Sequence, residues 1–238
     1  MSTDPHERNV NIMKNIGMIV AVEIDAVLEK YGTRLEERFV DGFTVNVLQN
    51  DNYTLYICKT GAGEIAAAAG TQLLISKFGV DMVINFGVVG GLTPAMALAK
   101  TAVVERVVHY DFDISEIDHV EVGRYTAYPS VHIDCNKELL AKALELQPDL
   151  VKVTCASGDK FVGDPAKKQA LHEQFDADIC EMEAAGILLT CNRSGIPCLM
   201  IKTVSDSITG GAEEFTSEVN RSASICLDIA DKIMNAAL

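Results

Sequence analysis

The sequence predicts an α/β domain with one central sheet, mixed but largely parallel, flanked by helices. Three observations predict it. Short apolar runs, several of them β-branched and nearly continuous, recur from Ile16 to Val204, as strands buried on both faces do. Helical patterns lie between them, the alternation of an α/β domain. The chain has 238 residues, 48% of them hydrophobic. That is enough for one large domain with a substantial core.

Residues 1–12 are polar at their start and are expected to form a flexible tail, with a single domain over 13–238. Strands are expected at Ile16–Val22, Thr54–Cys58, Asp81–Phe86, Ala102–Val108, Val151–Ala156, Ile179–Met182 and Cys198–Val204. Between them, Ala-rich Gly63–Phe78 predicts a helix, as do Asn136–Leu146, Pro165–Gln174, Glu183–Arg193 and Glu214–Ala236. Pro165 suits a first helical turn, with Asp164 before it as an N-cap. Val104–His132 mixes aromatic and β-branched residues with Asp and Gly, which predicts antiparallel segments or an elaborated loop. The chain carries no internal repeat, linker or low-complexity segment.

The formal net charge of −14 repels nucleic-acid phosphates and anionic membrane surfaces, so neither is an expected partner. No apolar run reaches the ~18 residues that span a bilayer. Seven cysteines without C-x-x-C spacing, and no secretory signal, point to free, buried thiols in a reducing compartment. A cytoplasmic location is expected. The five histidines lack helical metal spacing, and neither metal nor cofactor is expected.

In open α/β sheets a ligand sits beyond the carboxyl ends of the strands, so the chemistry is sought at strand-to-loop junctions. Gly61-Ala62-Gly63 and Gly87-Val88-Val89-Gly90-Gly91 read as turns that let backbone N–H groups approach a ligand, yet neither is a Walker loop or a full G-x-G-x-x-G. Glu181-Met182-Glu183 places two carboxylates around a methionine where a strand meets a helix. On a strand both would share one side; at a helix start a carboxylate is also favoured by the dipole. Ser205-Asp206 ends an apolar strand. An Asp there is either a cap or a site residue, and partial burial would suit it to general acid work.

Ser157-Gly158-Asp159-Lys160-Phe161-Val162, the block Glu181–Gly186 and Ser205-Asp206 occur in this order. Together they resemble the nucleoside phosphorylase family over nearly the whole chain. The resemblance is strongest to its nucleosidases acting on 5′-methylthioadenosine and S-adenosylhomocysteine. It implies release of adenine by cleavage of the N-glycosidic bond, with the phosphate-dependent reaction and a non-catalytic nucleoside binder as alternatives. It implies that Asp206 is the general acid at the purine N7, Phe161 stacks on the purine, and the Val162 backbone reads its edge. Met182 would pack beneath the ribose, Glu183 would bind its hydroxyls, and Phe215 would line the 5′ pocket. Glu181, Val88, Gly90, Ser205 and Ile208 complete the implied lining.

The implied chemistry is self-consistent. Departure of a purine from ribose passes through an oxocarbenium-like state, which carboxylates stabilise. The base leaves well only when protonated, so Asp206 is expected to hold a proton near neutral pH.

Three positions depart from the pattern, all on the nucleophile side. Asp25 stands where the nucleosidases have the glutamate that orients water. Val88 replaces a serine, and Lys202 replaces an arginine. Phosphorylases of the family present arginines to phosphate, whereas Glu23 and Asp25 here would repel it. Family members are dimers or larger, so a homodimer is expected, with Tyr110–Phe112 as a candidate contact.

Overall fold

The computed structural model describes residues 14–237; the expected tail, residues 1–12, lies outside them. The chain opens with β1 (Lys14–Val20) and α1 (Ile24–Tyr31). An antiparallel trio follows: β2 (Glu36–Val40), β3 (Phe43–Gln49) and β4 (Tyr53–Lys59). Next come α2 (Glu64–Phe78), β5 (Met82–Gly91), β6 (Thr101–His109), the short α3 (Ser115–Asp118) and β7 (His132–Asp134). The chain then runs through α4 (Lys137–Leu146), β8 (Val151–Ser157), α5 (Pro165–Phe175), β9 (Ile179–Glu181), α6 (Ala184–Ser194), β10 (Cys198–Asp206) and α7 (Ala212–Ala237).

All ten strands form one mixed sheet in the order β10-β6-β8-β9-β5-β1-β4-β3-β2, with β7 on β6. Because β10 also pairs with β5, the strands β5, β10, β6, β8 and β9 close into a ring, and β1-β4-β3-β2 extends from it as a wing. The pairs β1–β4, β1–β5, β5–β10, β6–β8 and β8–β9 are parallel. These inner strands are the ones legible as continuous apolar runs, since both of their faces are covered. Helices α2 and α6 pack on one face around Leu74, Ile187 and Leu188. Helices α1, α4 and α7 pack on the other around Val27, Leu140 and Leu227.

Local signals account for the helix ends. Asn136 accepts a hydrogen bond from the Leu139 N–H, and Asp164 accepts one from Lys167 N–H ahead of Pro165. Gly61 and Gly63 have positive φ (81° and 107°), which turns the chain from β4 into α2.

Three expectations change, and the elaborated loop with antiparallel pairing expected around Val104–His132 is present. The run Ile16–Val22 stops being a strand at Val20, and the chain turns into α1, which buries Ala26, Val27 and Tyr31 on one side. The wing strands β2 and β3 went unpredicted: β2 (EERFV) is exposed along most of its length and lacks an apolar face, whereas β3 (FTVNVLQ) is buried from Val45 to Leu48 and was simply not identified. Gly87–Gly91 is not a turn but the end of β5, paired with β10 and β9. Glycine is needed there for close approach: a Cβ on Gly91 would lie 2.2 Å from the Met96 carbonyl oxygen. The stretch after β6 is mostly loop around α3, and its one extended piece, β7, pairs antiparallel with β6.

Candidate active site

The ring brings the carboxyl ends of β1, β5, β9 and β10 to one cavity. Glu181, Met182 and Glu183 line it from the β9–α6 junction, and Ser205 and Asp206 from the tip of β10. Val88 and Gly90 of β5 form its floor, and Phe161, Val162 and Phe215 border it from the loops. Ten of the twelve residues singled out from the sequence therefore converge here, with Asp206 and Glu183 in one shared space. Asp25 and Ile208 are not among the lining residues. A broader groove between α2, α6 and residues 125–137 lacks such a set of convergent acids.

Asp25 lies in the first turn of α1 and is exposed. The family resemblance matched it to a residue of the N-terminal strand, but β1 ends at Val20 and Asp25 belongs to α1. The carboxylate that reaches the cavity is Glu23, which is buried. It accepts hydrogen bonds from Val22 N–H (3.0 Å) and Val88 N–H (2.9 Å).

Glu183 is the residue at which the chain enters α6. Its Oε1 accepts from Gly63 N–H at 2.9 Å, so the glycine turn before α2 grips the carboxyl. Burial, then the negative field of Glu181, pushes the Glu183 carboxyl up to about 8 against the pull of Lys202 and Gly63 N–H. Glu181 itself caps α6, accepting from Glu183 N–H and Ala184 N–H, and pairs with the buried Lys202 ammonium at 3.0 Å. Burial works to lower the Lys202 value, yet Glu181, Cys155 and Glu183 raise it on balance.

Two further residues escaped the sequence reading. Glu64 opens α2 and is buried; it accepts from the Ser157 hydroxyl and from Gly186 N–H, while Ser157 Oγ accepts from Ala185 N–H. Burial and Glu181 raise the Glu64 carboxyl to about 7. Lys168 is fully buried on α5, and its Nζ lies 2.5 Å from Asp206 Oδ2. A signal for it existed: Lys168, Leu171 and Phe175 follow helical spacing and form the buried stripe of α5.

Asp206 thus has the buried Lys168 side chain as a partner, a residue outside those singled out from the sequence. Ser205 Oγ also donates to Asp206 Oδ1 at 3.2 Å. All seven cysteines are buried and unpaired. Burial pushes the Cys180 thiol, which lines the cavity, up to about 12, so it stays protonated.

Glu64 and Glu183 yield a stability prediction. Both carboxyls bind their proton more tightly folded than unfolded. That contribution is fully present below pH 4.5 and is lost as pH climbs through 7 and 8. Glu64→Gln removes one of the two. Its melting temperature is expected to fall less than that of the wild type between pH 5 and pH 9. The difference is on the order of 2 kcal/mol, from about 1.4 kcal/mol per pKa unit. Parallel melting curves across that range would count against the assignment.

Residues 16–238 match the family model of the phosphorylase superfamily. The chain belongs to the phosphorylase superfamily. A 5′-methylthioadenosine/S-adenosylhomocysteine nucleosidase of Geobacillus kaustophilus is 31% identical over 76% of this chain and 79% of that protein. An aminodeoxyfutalosine nucleosidase of Campylobacter jejuni is 29% identical over 76% of this chain and 81% of its own. A solved structure of a Helicobacter pylori futalosine hydrolase mutant superposes with a TM-score of 0.89 at 25% identity, covering 94% of this chain and 100% of that one. This member of the superfamily is accordingly an N-glycosidic hydrolase of the nucleosidase kind. Among the described residues no helix is long and apolar enough to cross a membrane.

Proposed function

We propose that the enzyme uses water to cleave a 5′-thio-substituted adenosine, 5′-methylthioadenosine or S-adenosylhomocysteine, and releases adenine. The observation that carries water over phosphate is the placement of Glu23. Its carboxylate already accepts from Val22 N–H, just after β1, and from Val88 N–H on β5. A phosphate there would have to displace this buried carboxyl from both donors. Glu23 then takes the water-orienting role that the sequence had assigned to Asp25.

Asp206 faces the purine N7 and Phe161 stacks on the ring, with the Val162 backbone at its edge. Met182 lies beneath the ribose and Glu183 receives its hydroxyls. As C1′ becomes cationic, Glu183 and Glu23 stabilise it, while Lys202 neutralises Glu181 and keeps the remaining charge where it is used. Phe161 and Phe215 meet edge to face at 5.5 Å, an apolar end that suits a thioether better than a charged 5′ group. The buried free thiols fit a reducing compartment, and we place the enzyme in the cytoplasm. A homodimer belongs to the same reading; light scattering at the size of a monomer would remove that part.

The test is adenine release from 5′-methylthioadenosine, S-adenosylhomocysteine and aminodeoxyfutalosine, with and without phosphate. Release from the two thioethers at a rate indifferent to phosphate is expected. Release dependent on phosphate would make the enzyme a phosphorylase. No release from any of the three, with the nucleosides bound, would make it a binding protein.

A further inference from the structure

Asp206, the proton donor of the proposed reaction, shares its carboxyl with a second titratable group. Among the described residues the side chains hydrogen-bonded to it are those of Lys168 and Ser205. Lys168 reaches it from α5, its side chain fully buried. Its Nζ donates to Asp206 Oδ2 at 2.5 Å, to the Ser207 carbonyl at 2.6 Å and to the Gly210 carbonyl at 3.2 Å. The Asp206 carbonyl is a fourth, longer contact at 3.5 Å, so the three N–H groups are taken up by the three shorter ones. If one proton moves to Oδ2, the neutral amine keeps two N–H groups for the two carbonyls, and its lone pair accepts from the new Oδ2–H. Both proton positions are fully hydrogen-bonded, so the buried pair is not left with an orphaned group in either.

We propose that Lys168 is the store from which the leaving purine draws its proton, with Asp206 as the carrier. The Nζ–H bond breaks and an Oδ2–H bond forms; Oδ2–H then turns about its C–O bond toward N7 and passes the proton on. The C1′–N9 bond breaks with its electron pair going to the purine ring, C1′ bonds to the oxygen of the attacking water, and that water gives up one proton to solvent. Asp206 returns to a carboxylate, Lys168 is left as a neutral amine, and solvent reprotonates the amine once adenine has left. Lys168 acts through Asp206 and does not touch the substrate. The same contacts to Ser207 and Gly210 hold the loop between β10 and α7, so Lys168 is also a positioning residue.

The inference rests on the nucleosidase reading, and the two fail differently. Wild-type protein that releases no adenine from any purine nucleoside sinks that reading, and this inference with it. With an active wild type, the variants decide. Lys168→Arg keeps the ion pair but cannot surrender a proton. Lys168→Met leaves Asp206 without its cation and free to hold its own proton. The expected order of kcat for adenine release from 5′-methylthioadenosine is wild type, then Met, then Arg. Arg is down by about 10²-fold or more, with KM nearly unchanged. On 4-nitrophenyl 5-methylthio-β-D-ribofuranoside, whose leaving group departs without a proton, both variants should stay within a few-fold of wild type. A structural or purely electrostatic Lys168 predicts the reverse order, with Arg rescuing; that order, or equal losses on both substrates, overturns the proposal.

Circular dichroism checks the fold of each variant. Should Arg not fold, the Met variant decides through its pH profile. The groups facing the pair are Cys180 on β9, Ser205, the Ser207 and Gly210 carbonyls, and Glu214 on α7, which accepts from Ser207 N–H. Adenine release by Lys168→Met should fall tenfold per pH unit once Asp206 loses its own proton, at a pH where wild type still holds its rate. Superimposable profiles overturn the proposal.

Discussion

Asp206→Asn is expected to lower kcat for adenine release by about 10²–10⁴-fold, the usual worth of general acid catalysis, and to destabilise the protein at the same time. The two effects have separate causes. The amide has no carboxyl through which a proton reaches N7, so the purine must leave as an anion. The same change strips the fully buried Lys168 of its counter-charge. Breaking one partner of a buried pair costs about 3–5 kcal/mol, because the remaining ion is neither solvated nor compensated. The double variant Asp206→Asn with Lys168→Met separates them. It should recover most of the lost stability, since both buried charges go together, yet recover none of the activity. Measured side by side, calorimetry and adenine release form a double-mutant cycle. A double variant no more stable than Asp206→Asn alone would mean that the pair is not the source of the cost. Near-normal activity in Asp206→Asn would remove the acid role altogether.

Glu183→Gln is expected to lower kcat/KM by about 10²–10³-fold, the magnitude lost when one group aimed at developing charge is removed. Its amide oxygen can still accept from Gly63 N–H, as Oε1 does at 2.9 Å, so the local fold should persist. What disappears, at the pH where the Glu183 carboxyl is ionised, is the negative charge it would place in the cavity. The pH profile gives the sharper reading. Burial and Glu181 hold the Glu183 carboxyl up at about 8, so below that pH the free enzyme carries it protonated. A neutral carboxyl stabilises a cationic sugar poorly. Wild-type kcat/KM should therefore rise with pH toward about 8, and the Gln variant should lack that rise. A wild-type profile flat between pH 6 and pH 9 would place the charge-bearing group elsewhere.

Much of this site was legible from residue order. Glu181-Met182-Glu183 and Ser205-Asp206 each stand where an apolar strand ends, and strand ends in an α/β sheet meet at one edge. The inner strands were readable because burial on both faces leaves an uninterrupted apolar run. β2 was not, because Glu36–Val40 is exposed on most of its positions and carries no equivalent pattern; β3, buried from Val45 to Leu48, interrupts its apolar residues with Thr44, Asn46 and Gln49 and so shows no continuous run.

The errors cluster where the chain changes direction. Glu23 and Asp25 are two residues apart, and alternation on an extended strand sends both to the same side. The turn after Val20 sends Glu23 inward to Val88 N–H and leaves Asp25 in solvent on α1. Lys168 and Glu64 were overlooked for a different reason. A lysine and a glutamate on helices read as surface residues unless partners are known, and their partners lie 38 and 93 residues away, at Asp206 and Ser157.

The sequence by itself determined the α/β class and the run of inner strands, which follow from local periodicity, and it marked the strand-to-loop junctions whose residues line the cavity. The tertiary structure alone decided which carboxylate of the segment after β1 reaches the cavity and what stands behind Asp206. Those depend on the angle at which a strand hands over to a helix and on charges paired across the sheet, and long-range pairing of that kind leaves no periodic trace in the chain.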